Sequence, residues 1–346
     1  MTARAFIIGL AGLSITADER SFLRDAQPWG LIIFKRNVST PSQVTELTKS
    51  FRDIVGWEAP VFVDQEGGRV QRLGPPHWPV YPAGLRYGEL YDRDPASGIA
   101  AARLAGHLIA ADLRPLGIDA DCLPLADVPL ASSDPVIGDR AYGSGPAKVA
   151  AIAKAIAEGL QAGGVLPVLK HLPGHGRATA DSHHKLPVVD ADCATLEATD
   201  FAAFRPLAGL PIGMTAHVVF RAFDPVAPAT TSVTIVRQVI RGFIGFQGLL
   251  MSDDISMNAL SGTIAERSRA ALAAGCDVVL HCNGDMSEME AVAGEAPELA
   301  GEAAMRADAA LAARSAPEEF DTEAARKIFT QMVNDERAAP QRKTAS

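Results

Sequence analysis

The sequence predicts an α/β protein built as a single-domain (β/α)8 barrel of the TIM type. Eight short apolar runs recur along 346 residues, separated by longer amphipathic stretches, and that alternation calls for parallel βα units. Polar residues stand where six of the runs end, and the strand ends on one face are where such barrels carry their sites. No GxGxxG follows the first run, which argues against the competing doubly wound open sheet.

In chain order the runs are AFIIGL, GLIIFKR, VFVDQEG, DADCLPLADV, VLPVLKHLPG, IGMTAHVVF, GLLMSDD and CDVVLHCN. They are β-branched or leucine-rich and bounded by Gly or Pro, as strands are. The first lies in MTARAFIIGLAGLSIT, which resembles a short signal segment with one arginine. It lacks a clean small-x-small site before a polar start, so it reads as a buried strand. The clearest helical patterns are SGIAAARLAGHLIAADLRPLG, PAKVAAIAKAIAEGLQAGG and TIAERSRAALAAG, with glycine at helix ends. After about residue 284 the chain is Ala- and Glu-rich with helical spacing. Those stretches are expected to be helices closing the barrel, within one domain of residues 1–335, followed by a polar tail at 336–346.

Composition narrows the class. The chain is 48% apolar and 21% charged, ordinary for a soluble globular protein, and its net charge of −9 supplies no basic footprint for nucleic acid. No apolar run reaches the length of a membrane span. Cys122, Cys193, Cys276 and Cys282 are scattered without a CxxC, which fits reduced thiols in a cytoplasmic protein. No strong apolar surface stripe is visible, so a monomer is expected.

The polar run ends are Asp64 and Glu66, Asp127, Lys170 and His171, His217, Asp253 and Asp254, and His281 and Asn283. Six together point to one ring-shaped pocket. In VDQEGGRVQR, Asp64 can accept two hydroxyls and Arg72 can offer a forked donor, a pairing that suits a polyol or sugar. Arg140, in SDPVIGDRAYG, is a second such donor. LLMSDDIS ends in two acids. Strand alternation puts Asp253 and Asp254 on opposite faces, so at most one is expected to enter the pocket, and periodicity does not say which.

Residues 170–187, KHLPGHGRATADSHHKLP, hold four of the eight histidines. His171 and His175 have the spacing of a helical metal pair, but Pro173, Gly174 and Gly176 exclude a helix. No carboxylate follows at a zincin position, so neither a metal nor another cofactor is expected. A phosphate cradle lacks its G-K-[ST] and the helix that should follow. Asp181-Ser-His183 is different. An aspartate two residues before a histidine can accept its ring N–H, fixing the tautomer and stabilising the imidazolium. His183 would then supply acid–base catalysis, with Asp253 or Asp254 as nucleophile.

Together these segments resemble glycoside hydrolase family 3 over roughly residues 5–285, in the family's order. The likeness is nearest to the family's single-domain bacterial β-N-acetylglucosaminidases of peptidoglycan recycling. It implies a (β/α)8 barrel and a retaining mechanism through a covalent glycosyl-enzyme. The family's Ser-Asp motif falls on Ser252 and Asp253, which implies Asp253 as nucleophile, with Asp254 and Met257 just behind it. The acid/base dyad falls on Asp181 and His183, and the sugar-binding positions on Asp64, Arg72, Arg140, Lys170 and His171. The implied substrate is terminal β-linked N-acetylglucosamine, in muropeptide fragments with an anhydro-muramyl leaving group. Chitin oligomers and glycosylated small molecules stay open. Larger relatives carry a second domain that supplies an acid/base carboxylate, whereas here the histidine loop is expected to give the proton. Two positions depart from the common pattern: Leu172 stands where Phe is frequent, and Arg177 adds a charge within reach of an acidic leaving group.

Other readings share these residues. A phosphorylase would use the same histidine, because phosphate must not meet a second carboxylate. Substrate-assisted hydrolysis would use adjacent acids such as Asp253 and Asp254. A metal-dependent hydrolase would use His171, His175 and His183, and a sugar-binding protein would need no nucleophile at all. Of the remaining histidines, His175 is expected to brace the loop, His184 to face solvent and His107 to be structural. His217 and His281 suit either pocket or core.

Overall fold

The computed structural model describes residues 3–334, so the polar tail expected at 336–346 lies outside them. Eight parallel strands close into a barrel: β1 (Arg4–Gly9), β2 (Pro28–Ile33), β3 (Val61–Val63), β4 (Ala120–Asp121), β5 (Leu166–Leu172), β6 (Ile212–Thr215), β7 (Leu249–Asp254) and β8 (Val278–His281). Neighbours in the chain are neighbours in the sheet, and β8 pairs with β1 through Ile7 and Leu280. Each predicted run contributes one strand. The strands are buried on both faces, which is why they read as continuous apolar runs and not as alternating ones.

Most strands are shorter than the runs that predict them, and in two the reason is identifiable. In β4, Pro124 has no N–H for the ladder. The chain still tracks β5, with Leu125 bridging to Lys170 and the Ala126 N–H donating to the Lys170 carbonyl at 2.7 Å. This sets Asp127 beside His171. After β6 the chain leaves the barrel, and Val219–Phe220 pairs instead with Val188–Val189.

Helices cover the outside, and local signals start them. Thr16 and Thr263 each form a capping box, with Glu19 and Glu266 three residues on. Asp94 before Pro95 and Thr40 before Pro41 give the two-residue start of a cap followed by proline. The Ala- and Glu-rich end forms Met286–Glu295, Gly301–Ala312 and Thr322–Asn334. Arg326 in the last of these bonds both Asp112 and the Tyr81 hydroxyl, fastening it to the helix Pro95–Leu113. His107, in that same helix, stacks on Phe320 at 3.7 Å, the structural place expected of it.

The N-terminal ends of the strands are tied by buried aspartates. Asp277, just before β8, takes Arg241 and Arg306 at 2.9 Å each and the Leu250 N–H at 2.8 Å. Asp119, just before β4, takes Arg314 at 2.9 Å and the Val61 N–H at 2.8 Å. These knots leave the opposite end free for chemistry. Removing one member of such a network leaves buried charges without partners. Asp277→Ala should therefore lose about 3–5 kcal/mol of stability, read by urea unfolding. A loss under about 1 kcal/mol, typical of a surface pair, would contradict this account.

Candidate active site

At the C-terminal end of the barrel lies a cavity of ≈ 270 Å³. Asp64, Arg72, Arg140, Lys170, His171, Asp181, His183 and Asp253 all line it, so the fold brings every predicted site residue to one place.

Its floor is a chain of five charges. Lys170, at the end of β5 and 2% exposed, donates to Asp64 at 2.9 Å and contacts Glu66 at 2.7 Å. Arg72 bonds the other oxygen of Asp64 at 2.9 Å. Arg140 forks onto both oxygens of Glu66 at 2.8 and 2.9 Å. Burial works against every one of these charges, and the opposite partners outweigh it. The Glu66 carboxyl is brought down to about 2 by Arg140 and Lys170. Asp64 is held well below the usual carboxylate range and Lys170 well above the usual lysine value.

A hairpin positions Asp64, Glu66 and Arg72. Gln65–Gly67 pairs antiparallel with Val70–Gln71 just after β3. The buried Gln65 side chain accepts from the Arg72 and Leu73 N–H groups, at 3.0 Å each, and so orients Arg72. Gly67 takes φ +94°, and a Cβ there would lie 2.4 Å from the Pro82 carbonyl oxygen.

In β5 and β7 the strand register shifts where the chemistry begins. The pairing of β5 with β6 slips between Leu169 and Leu172, and that of β7 with β8 between Met251 and Asp254. Consecutive residues that regular alternation would separate now line the same cavity, Lys170 with His171 and Asp253 with Asp254. This corrects the expectation that only one of the two aspartates enters. Their states differ, however. Asp254 is fully engaged by the Ser256 N–H, the Ser256 hydroxyl and the Cys282 N–H. Asp253 accepts only the Asp254 N–H, at 2.8 Å on one oxygen. Burial raises the Asp253 carboxyl, but the nearby His217, His171 and Lys170 outweigh it and leave it below the usual range. Met257 also lines the cavity.

Asp127 organises the histidines. Its Oδ2 lies 2.7 Å from His171 Nδ1, and its Oδ1 accepts the His175 N–H at 2.6 Å. His175 is buried, and its Nε2 lies 3.0 Å from the Ser182 hydroxyl, so it spans the loop as a brace. Burial first, and then the neighbouring His171, lower the His175 ring to about 4. Gly176 passes so close to Val128 that a Cβ would sit 2.3 Å from the Val128 carbonyl carbon. Beyond it, Asp181 Oδ1 accepts the His183 N–H at 2.9 Å and lies 2.7 Å from His183 Nδ1. That leaves His183 Nε2 free. The His183 side chain is 60% exposed and the Asp181 side chain 28%.

Some functional residues were missed from sequence. Glu66, Asp127 and Ser182 hold the site residues in place. Glu66 and Asp127 were visible as acids at strand ends, but nothing local showed which cations they face. Ser182 sits inside the D-S-H motif, where nothing in the sequence shows that it faces His175. Arg177 does not reach toward the cavity as the sequence suggested, for its guanidinium is taken up by Asp200 and Thr199. His217 and His281 are core residues, bonded to Thr230 and Glu288 respectively. His184 is solvent-facing. Among the described residues no group of three or more His, Cys, Asp or Glu side chains is placed to hold a metal ion.

The neutral, buried state of His175 has a consequence for stability. An unfolded histidine takes a proton near pH ~6.5, whereas the folded one resists until about pH 4. Within that window the unfolded chain binds more protons, so stability falls as the pH falls. The full contribution is up to about 3 kcal/mol. Thermal midpoints of His175→Gln should therefore decline less than those of the wild type between pH 6.5 and 4. Parallel curves would show that His175 is not the group responsible.

Residues 6–312 match the family described as glycosyl hydrolase family 3 N terminal domain. A beta-hexosaminidase of Alkalilimnicola ehrlichii is 40% identical over 281 residues, 80% of each chain. One from Aromatoleum aromaticum is 34% identical over 339 residues, 95% of each. The crystal structure of NagZ from Neisseria gonorrhoeae in complex with N-trifluoroacetyl-D-glucosamine aligns with a TM-score of 0.83 at 31% identity, over 96% of this chain and 97% of that one. A match of this extent, on a barrel whose strand ends converge on one charged cavity, leaves no doubt about kinship: the chain belongs to glycosyl hydrolase family 3 and is a glycoside hydrolase.

Proposed function

We propose that the protein is a retaining exo-β-N-acetylglucosaminidase that removes terminal β-linked N-acetylglucosamine. The observation that carries this reading is the composition of the cavity. Among the described residues, Asp253 keeps an oxygen that no group bonds, and the Asp181–His183 pair lines the same space with a ring nitrogen free. Asp64, Arg72, Arg140, Lys170 and His171 hold the sugar by its hydroxyls and acetamido group. Asp253 attacks the anomeric carbon as His183 Nε2 delivers its proton to the leaving oxygen, and the glycosidic C–O bond breaks. Asp181 steadies the imidazolium. Water then attacks the glycosyl-aspartate while neutral His183 takes its proton, and two inversions give net retention.

The beta-hexosaminidase relatives and the sugar bound in the Neisseria protein support N-acetylglucosamine as the glycone. Muropeptide fragments of the type GlcNAc-1,6-anhydro-MurNAc, implied by the family resemblance, are the proposed substrates. Among the described residues no helix is long and apolar enough to cross a membrane. The four cysteines are free, which fits a cytoplasmic enzyme, and we take it to act as a monomer.

An aryl β-N-acetylglucosaminide should be hydrolysed to free N-acetylglucosamine in chelated, phosphate-free buffer. A requirement for phosphate, with the sugar 1-phosphate as product, would make the enzyme a phosphorylase. Activity lost to chelation and restored by metal would favour the metal-dependent alternative. Asp253→Ala should lower turnover by about 10⁴-fold or more, and a fluorinated N-acetylglucosaminyl substrate should be trapped on Asp253 by mass spectrometry. His183→Ala should lower kcat/KM by about 10²–10⁴-fold for an alkyl glycoside and far less for an activated aryl one. Equal losses on the two would remove His183 from the role of acid.

A further inference from the structure

Residues 173–187 carry the Asp181–His183 pair, yet both of those side chains are part-exposed and bond each other more than the barrel. Something else must fix where the loop sits. On its C-terminal side the Ser182 carbonyl accepts the Ala259 N–H at 3.1 Å. On its N-terminal side the anchors include the His175 N–H on Asp127, the packing of Gly176 on Val128, the Ala178 carbonyl, which accepts the Asp134 N–H at 2.9 Å, and Arg177.

Arg177 makes the largest side-chain attachment. Its Nε lies 3.0 Å and its Nη2 2.8 Å from Asp200 Oδ2, and Nη2 also donates to Thr199 Oγ1 at 3.0 Å. Thr199 Oγ1 in turn donates to Asp200 Oδ2 at 2.7 Å. The Asp200 side chain is 2% exposed and makes no other ion pair among the described residues. Thr199 and Asp200 directly follow the helix Cys193–Ala198, in the connection between β5 and β6. The fork therefore grips a fixed part of the scaffold. It acts one residue from the Gly176 contact and two from His175, whose ring holds Ser182, the residue between Asp181 and His183.

We propose that Arg177, through its fork on Asp200 and Thr199, is a positioning residue that keeps the Asp181–His183 pair docked over the cavity. It contacts neither pair member and does not line the cavity. Its effect on chemistry rests on the reading of His183 as the acid, but its effect on the loop does not. A planar guanidinium satisfies two acceptors in one geometry, whereas an ammonium is a point charge, so lysine should replace it only in part. Misplacing a catalytic group by about 1 Å can cost about 10²-fold in rate.

The test compares wild type, Arg177→Ala, Arg177→Lys, His183→Ala and the Arg177→Ala/His183→Ala double variant. kcat/KM is measured on an alkyl and on an activated aryl β-N-acetylglucosaminide, because it reports the step that needs the acid. Arg177→Ala is expected to lose roughly 10–100-fold on the alkyl glycoside and much less on the aryl one, with Arg177→Lys between it and wild type. In the double variant the second change should add little, since both act on one proton transfer. Hydrogen exchange of the amides at 178–184 should quicken in Arg177→Ala, while strand amides stay protected. Equal losses on both glycosides, full additivity with His183→Ala, or unchanged exchange in the loop would each overturn the proposal. If His183→Ala itself shows no leaving-group dependence, the reading of His183 fails, and loop exchange alone decides whether Arg177 holds the loop.

Discussion

The charge on Lys170 is the constraint on which the site depends. An ammonium group buried at the end of a barrel strand is strongly unfavourable unless it is paired. Two carboxylates meet it, and both come from the hairpin after β3. That requirement fixes the hairpin, and with it the positive φ and close approach at Gly67. Two buried carboxylates need more than one cation, and Arg72 and Arg140 arrive from separate loops. The connections after β3 and β4 are thereby locked to each other and to the end of β5. Three cations against two anions also leave one net positive charge, which helps hold Asp253 ionised. The same ions that build the floor set the state of the group above it.

The two ends of the barrel divide the work. At the N-terminal end, Asp119 and Asp277 spend their oxygens on arginines and backbone N–H groups, and nothing is left over. At the C-terminal end, Asp253 and His183 each retain a side-chain atom without a hydrogen-bond partner among the described residues. The surrounding ion pairs hold these groups in place, and preorganised groups need no rearrangement when charge develops.

The barrel was legible because its strands are buried on both faces and its helices announce their ends with caps and glycines. The site was legible as a set of residue types at strand ends, and the family resemblance then distributed roles among them. What could not be read was pairing across loops. Nothing near Arg140 names Glu66, 74 residues away, and nothing near Arg177 names Asp200. The alternation rule failed at Asp253 and Asp254 because a register shift is invisible in a single strand's sequence. The run DADCLPLADV reads as one strand, and only the structure shows that β4 stops before Pro124 while the chain stays beside β5 and so brings Asp127 to the histidines.

The cationic floor also bears on why a histidine, and not a second carboxyl, would serve as acid in the proposed mechanism. In and beneath this cavity the carboxyls of Asp64, Glu66 and Asp253 are all drawn below their ordinary range by neighbouring cations. A further carboxyl paired with these cations would be held ionised in the same way, and an ionised carboxylate has no proton to give. An imidazole gives and takes a proton near neutrality as a matter of residue type. His183 stands on an outer loop against its own aspartate, with its side chain 60% exposed. The cost of that arrangement is positional, since a loop must hold the group as accurately as a strand would. The density of anchors between His175 and Ser182 is the structural answer to that cost.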